Sequence, residues 1–105
     1  MSVLMGISIF PVDKGESLSS FVARAVETIQ KSNYPYIVTP METVVETESI
    51  EEALRLAEEC FKALEVDCNR IIVNIKIDYR KGKSGRIKGK VESVQKKINQ
   101  PLNTV

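Results

Sequence analysis

The feature of this sequence that most constrains its fold is a change in the spacing of its apolar residues. Apolar residues alternate with a period of two from Val3 to Ile9, and they then recur every three or four residues from Leu18 to Ile29. Alternation is typical of a strand with one buried face, and the longer spacing is typical of an amphipathic helix. The first thirty residues therefore predict a strand followed by a helix that packs against it.

Two short strands and a second helix are predicted next. The segments "YPYIVTP" (34–40) and "METVVETE" (41–48) read as strands joined by a tight connection at Pro40. Ser49 and Glu52 then have the spacing of a capping box, in which each residue satisfies a backbone N–H of the other at a helix N-terminus. The apolar stripe of this helix continues to Leu64.

The last strong signal is "RIIVNIKIDYR" (70–80), whose apolar residues alternate with polar ones. The spacing of Val91, Val94, Ile98 and Leu102 predicts a short final helix. A strand–helix–strand–strand–helix–strand order predicts an α+β, ferredoxin-like sandwich. Its four-stranded antiparallel sheet has the first strand between the third and fourth, and two helices cover one face. We expect a single domain over 1–105, with a basic C-terminal extension from about residue 81.

The composition argues against most enzyme classes. The chain of 105 residues contains no histidine, which removes histidine general bases and Ser-His-Asp triads. Cys60 and Cys68 have neither CxxC spacing nor further ligands for zinc, and Cys60 is expected to be a small core residue. The opening "MSVLMGISIF" lacks the positive region of a signal peptide and is too short to span a bilayer. We therefore expect a non-catalytic, cytoplasmic protein without a membrane partner.

Charge is distributed unevenly along the chain. Residues 1–79 hold 7 Lys/Arg and 13 Asp/Glu, whereas residues 80–97 hold 8 Lys/Arg and a single Glu92. Runs of like charge usually lie on solvated or subunit-facing surface, so we expect this basic segment to dock on acidic surface. The alternative is an RNA-binding ferredoxin-like module, although the first and fourth strands lack the paired aromatic residues that stack on bases.

The second face of the predicted sheet carries no helix in this fold. Strand alternation assigns eight residues to that face: Ser8, Phe10, Val44, Glu46, Ile72, Asn74, Lys76 and Asp78. The mixture is too apolar to face water freely and too charged to form a core. We therefore expect two sheets to meet face to face, or edge to edge, across a dimer axis in a homodimer or homotetramer, with the charged positions lining a cavity at the interface. A purely structural or regulatory oligomer is the other possibility.

Three segments resemble a known family. "PMETVVE", "SIEEAL" and above all "IKIDYR" are similar, in order and spacing, to the YkoF-like family of small thiamine-binding proteins, also called MTH1187 or UPF0045. The resemblance extends from "ISIFPV" to about Lys81. It implies a ferredoxin-like fold, sheet-mediated dimers often paired into tetramers, and binding of thiamine or its pyrimidine moiety without catalysis or a cofactor. Glu42 and Thr47 stand where the family usually has glycines.

The resemblance implies a site for the thiazolium cation of thiamine. Glu46 is our choice for the carboxylate that meets this cation, because a charge on a half-buried strand needs a partner. Asp78 is the second choice. Lys76 lies on the same predicted face and is the competing partner for either carboxylate.

The pyrimidine ring would need hydrogen-bonding groups and flat walls. Ser8 and Asn74 could bond the ring edge, and Phe10 and Tyr36 could stack on it. Thr43 matches a threonine of the family. Strict alternation places Thr43 on the face opposite Glu46, so it would join the same pocket only through a β-bulge.

Overall fold

The computed structural model describes residues 2–104 and confirms the predicted α+β architecture. The elements, in chain order, are β1 (Ser2–Pro11), α1 (Ser19–Lys31), β2 (Tyr36–Val38), β3 (Thr43–Thr47), α2 (Ile50–Glu65), β4 (Ile71–Arg80) and α3 (Arg86–Ile98). The sheet order is β2-β3-β1-β4, and every pairing is antiparallel. Within residues 2–104, none of the helices is long and apolar enough to cross a lipid bilayer.

Strand β1 lies at the centre of the sheet, and its alternation divides the molecule into two sides. Val3, Met5, Ile7 and Ile9 are buried beneath α1 and α2, where they form the core with Val45 of β3. Burying each side chain of this size contributes about 1.5–3 kcal/mol relative to leaving it exposed. The predicted position of β1, between β3 and β4, is also confirmed.

Helix α2 begins where the capping box predicts. The Ser49 hydroxyl accepts a hydrogen bond from the Glu52 N–H at 3.2 Å, and Glu52 Oε1 accepts one from the Ser49 N–H at 3.1 Å. Two N–H groups that an open helix end would leave unsatisfied are thereby bonded.

Cys60 is a core residue of α2, as expected. Its side chain is fully buried, and its Sγ lies 3.6 Å from the Ala25 carbonyl oxygen of α1. Burial raises the pKa of the Cys60 thiol to about 12. The thiol therefore stays protonated at neutral pH, which is typical of a structural rather than a reactive cysteine.

The second face of the sheet is not bare along its whole length, which corrects the sequence-based expectation. Helix α3 starts at Arg86, five residues before the first residue of the predicted stripe, and it packs on β1 and β3. Gly85, at φ 63°, adopts the left-handed conformation that turns the chain back over the sheet. Leu4 belongs to this face and is buried, whereas Asn74 and Lys76 farther along remain exposed.

Candidate ligand-binding cleft

Glu46 lies at the covered end of the sheet. Its side chain is buried at 8% exposure, and its Oε1 accepts a hydrogen bond of 2.9 Å from the backbone N–H of Arg86. This N–H belongs to the first turn of α3, where backbone donors lack intrahelical partners and the helix dipole is positive. The carboxylate that the sequence assigned to a ligand cation therefore has a partner within its own chain.

Asp78 is occupied in the same way. Its Oδ2 lies 2.6 Å from Arg86 Nη2 and 2.6 Å from Lys90 Nζ. Hydrogen bonds from Lys90 and then Arg86 lower the pKa of the Asp78 carboxyl to about 2. The buried Arg86 also donates to the Asp78 carbonyl oxygen at 2.9 Å. Two residues of the basic segment, Arg86 and Lys90, thus dock on an acidic side chain, whereas its other basic residues are exposed.

A gap in the sheet lies at the opposite end. Strand β3 begins at Thr43, which pairs with Ile7, whereas β1 continues to Pro11 with β4 as its partner. On the β3 side, the backbone edge of β1 from residue 8 to residue 11 therefore has no neighbouring strand. In an antiparallel sheet, alternate residues direct their N–H and C=O groups towards such a missing partner.

Helix α1 and the β2–β3 connection surround this gap and form a cleft of about 340 Å³. That volume falls within the range of small-molecule sites, which begins at about 300 Å³. Most of its walls are apolar. The lining residues are Ile7, Ser8, Ile9, Phe10, Leu18, Val22, Ala25, Val26, Ile29, Val38, Thr39, Pro40, Met41, Glu42 and Thr43.

The β2–β3 connection is a hydrogen-bonded turn built by Thr39. The Thr39 hydroxyl donates to the Glu42 carbonyl oxygen at 2.6 Å and accepts from the Glu42 N–H at 3.1 Å. The Thr39 N–H donates to the same Glu42 carbonyl oxygen at 3.0 Å. Three bonds between the two residues fix the backbone from which the Glu42 side chain extends.

Glu42 is a site residue that the sequence reasoning missed. Its carboxylate lies over Gly6, where a Cβ atom would stand only 2.7 Å from Oε1. Its Oε2 is 3.3 Å from Lys76 Nζ, and the two side chains are 27% and 79% exposed, respectively. A signal was present in the sequence, because Glu42 shares the parity of Glu46 and a glycine stands on the neighbouring strand.

The structure separates the predicted site residues into groups. Ser8, Phe10 and Thr43 come together along the cleft. Asn74 and Lys76 are exposed on the open sheet face, and Lys76 reaches the cleft only through Glu42. Glu46 does not line this cleft within residues 2–104 of one chain, and the cavity predicted at an interface between two copies stays a prediction.

Tyr36 and Thr43 lie on the helix-covered side of the sheet. Tyr36 pairs with Val45 and packs against the core, so it cannot form a wall beside Glu46. The pairing of β3 with β1 is continuous from Thr43 to Thr47, without a bulge. Alternation therefore holds, and Thr43 meets the cleft from the helix side, where it is only 6% exposed.

The part of the chain that the structure describes contains no group of side chains suited to bind a metal ion. Among residues 2–104, no cluster of three or more Cys, Asp or Glu side chains could hold an ion. The residues that line the cleft offer one carboxylate, hydroxyl groups, a strand edge and apolar walls, which are groups that can recognise a small ligand.

These features define a small ferredoxin-like domain with a ligand-sized cleft at a gap in its sheet. The sequence model of a family described as "Thiamine-binding protein" matches residues 5–95, and the chain belongs to this family. A UPF0045 protein from Methanothermobacter thermautotrophicus is 37% identical over 83 residues, covering 78% of this chain and 84% of the relative. The UPF0045 protein MJ1052 from Methanocaldococcus jannaschii is 32% identical over 92 residues, covering 88% and 91%.

Solved structures share the fold. The crystal structure of MJ1052 superposes with a TM-score of 0.81 at 31% identity, covering 89% of this chain and 95% of that one. A Thermotoga maritima protein whose name refers to thiamine biosynthesis/salvage superposes with a TM-score of 0.78 at 30% identity, covering 90% and 99%. The resemblance identified from "PMETVVE" and "IKIDYR" is thus confirmed at the level of family and fold.

Proposed function

We propose that this protein binds thiamine, or a closely related aminopyrimidine, in the cleft beside the start of β3, and that it does so without catalysis. The single observation that carries this proposal is the composition of the cleft. The cleft has a volume of about 340 Å³, and Glu42 lines it together with a strand edge and mostly apolar walls. Thiamine joins a fixed cation to an aromatic ring that has both donors and acceptors, so each part of the molecule has a matching surface.

The unpaired edge of β1 supplies hydrogen bonds for the aminopyrimidine. Backbone N–H and C=O groups that face a missing strand require partners, and an aminopyrimidine edge offers one of each kind. Ser8, Thr43 and Phe10 also line the cleft, so two hydroxyl-bearing residues and an aromatic residue lie around this edge. Glu42 rather than Glu46 takes the cation, because Glu46 is buried against the N-terminus of α3.

The RNA-binding alternative receives less support from the structure. Arg86 of the basic segment is buried against Asp78, and the exposed Lys90 also bonds Asp78. The cleft lies at a gap in the sheet and is narrow, so it favours a small ligand over a strand of nucleic acid. Nucleic-acid recognition on such folds uses the open sheet surface instead.

Filling the cleft tests the proposal. Val22 lines the cleft from α1, so Val22→Trp should abolish thiamine binding measured by isothermal titration calorimetry. Val66→Trp adds the same side chain at an 80% exposed position at the end of α2, away from the cleft lining, and should bind like the wild type. Wild-type protein that binds no thiamine, or Val22→Trp protein that binds it normally, would contradict the proposal.

Self-association through the sheet also belongs to this proposal. Strand β4 is a free edge of ten residues, and on its helix side it exposes the apolar side chains of Val73, Ile75 and Tyr79. Long unpaired edges with apolar side chains favour pairing with another copy. Sedimentation velocity at micromolar concentration should show a dimer or tetramer, and Ile75→Lys should dissociate it. A wild-type monomer would contradict this part of the proposal.

A further inference from the structure

We propose that Glu42 makes the cleft selective for a free aromatic cation against the phosphate esters of that cation. The inference rests on the proposed function, because it concerns the same cleft. Among the cleft-lining side chains of residues 2–104, Glu42 alone is charged. A half-enclosed, largely apolar site with one carboxylate and no cationic side chain attracts a positive ligand and repels a negative one.

The Glu42 carboxylate is held in place from two sides. The bonds between Thr39 and Glu42 fix its backbone, and the glycine at position 6 leaves room for the carboxylate to lie against β1. A side chain at position 6 would meet the Glu42 Cδ at about 3.0 Å as well as Oε1 at 2.7 Å. The negative charge therefore stays close to β1, over Gly6, on a residue that lines the cleft.

Lys76 is a weak competitor for this carboxylate. It makes one contact, at 3.3 Å, from a side chain that is 79% exposed on the edge strand β4. Ordering a long exposed side chain costs entropy, and ion pairs of this kind contribute little. A ligand cation inside the cleft would be less hydrated and more strongly attracted, so it would displace Lys76 readily.

The position of the phosphate in the esters of thiamine makes them a sensitive probe. The phosphate sits on a two-carbon chain attached to the cationic ring, so it lies near any group that contacts this ring. If Glu42 contacts the cationic ring, the phosphate lies beside a negative carboxylate instead of a hydrogen-bond donor, and the two repel each other. Loss of the carboxylate would also release Lys76, which would then be free to attract the phosphate.

The experiment compares three ligands by isothermal titration calorimetry at low ionic strength: thiamine, thiamine diphosphate and the neutral hydroxymethyl aminopyrimidine. Wild-type protein should bind thiamine at least about tenfold more tightly than the diphosphate, which corresponds to about 1.4 kcal/mol. Glu42→Gln should weaken thiamine binding about tenfold, strengthen diphosphate binding and leave the neutral pyrimidine within about twofold.

Glu48→Gln is the matched control, because it removes the same charge from an exposed residue just after β3 that does not line the cleft. It should retain the wild-type selectivity. Lys76→Gln should tighten thiamine binding by up to about threefold, since it removes the competing cation. Thermal melting of each variant separates a loss of contact from a loss of fold.

The outcomes distinguish this inference from the proposed function. Binding of thiamine and its diphosphate with equal affinity overturns the selectivity and leaves the proposed function standing. Selectivity that survives in Glu42→Gln, or that is lost equally in Glu48→Gln, also overturns the role of Glu42. A wild-type protein that binds none of the three ligands overturns both.

Discussion

Glu42 and Glu46 lie four residues apart on the same face of the sheet, and their surroundings give them opposite roles. Glu46 lies under α3, where the Arg86 N–H satisfies its carboxylate at 2.9 Å. Glu42 lies at the other end, beside a gap in the sheet, and an exposed lysine is its partner at 3.3 Å. A charge that a buried backbone donor satisfies stabilises the fold, whereas one with a weakly held partner is available to a ligand.

The same comparison applies to whole regions of the second sheet face. At the Ser2 end, a helix from the same chain supplies the cations, and Leu4 is buried beneath it. At the Pro11 end, β1 extends beyond the last residue that pairs with β3, and a cleft lies in the gap. One end is closed by the chain itself, and the other is open, which is where we propose that the ligand binds. Variants at the two ends should therefore affect different properties.

The largest expected effect is the loss of Arg86 from the closed end. Arg86→Ala would remove a buried guanidinium that bonds Asp78 and the Ser2 carbonyl oxygen, and it would leave both without this partner. We expect a loss of about 2–3 kcal/mol in the free energy of unfolding, measured by urea denaturation. Lys88→Ala, on the exposed side of the same helix, should cost less than about 0.5 kcal/mol. Equal losses in the two variants would contradict the docking role of Arg86.

A smaller effect is expected from Glu46→Gln, and it sharpens the comparison with Glu42. The amide oxygen can still accept from the Arg86 N–H, but the bond loses its charge, so we expect a loss of about 1 kcal/mol in the free energy of unfolding. Thiamine affinity should stay within about twofold of wild type. If Glu46→Gln weakens thiamine binding more than Glu42→Gln does, the ligand cation belongs at the closed end.

Acid should release α3 from the sheet only at low pH, because Asp78, which holds Arg86 and Lys90, keeps its charge until then. The pKa of Asp78 is lowered from 3.8 to about 2 in the folded state, so its contribution is fully present above pH 3.8 and is lost as the pH falls through about 2. Amide resonances of residues 86–98 should report this release in an NMR titration. Asp78→Asn should remove the transition in that window, and its persistence would show that another group controls the docking.

The fold was predictable because its signals are local. The alternation along β1 assigns its buried side, and the Ser49–Glu52 box fixes the start of α2 within four residues of sequence. The family resemblance rested on short segments of the same kind. The structure confirms each of these predictions because each depends on residues that are close together in the sequence.

The site was less predictable because it depends on where elements stop and turn. Alternation identified the side of the sheet on which Glu46 lies, but the docking of Arg86 depends on the left-handed turn at Gly85 and on packing between distant segments. The cleft arises from unequal strands, since β1 has ten residues and β3 has five. Strand ends are poorly marked in a sequence, so the gap beside Ser8 and the position of Glu42 in the cleft lining were missed.

The most direct test of the central claim is an NMR titration of the backbone amides with thiamine, which shows where on the sheet the ligand binds. If thiamine binds in the cleft, the largest chemical-shift changes should fall on residues 8–10, on the 39–43 turn and on the facing part of α1 around Val22. Changes that instead concentrate at Glu46, Asp78 and residues 86–90 would place the ligand at the closed end and contradict binding in the cleft.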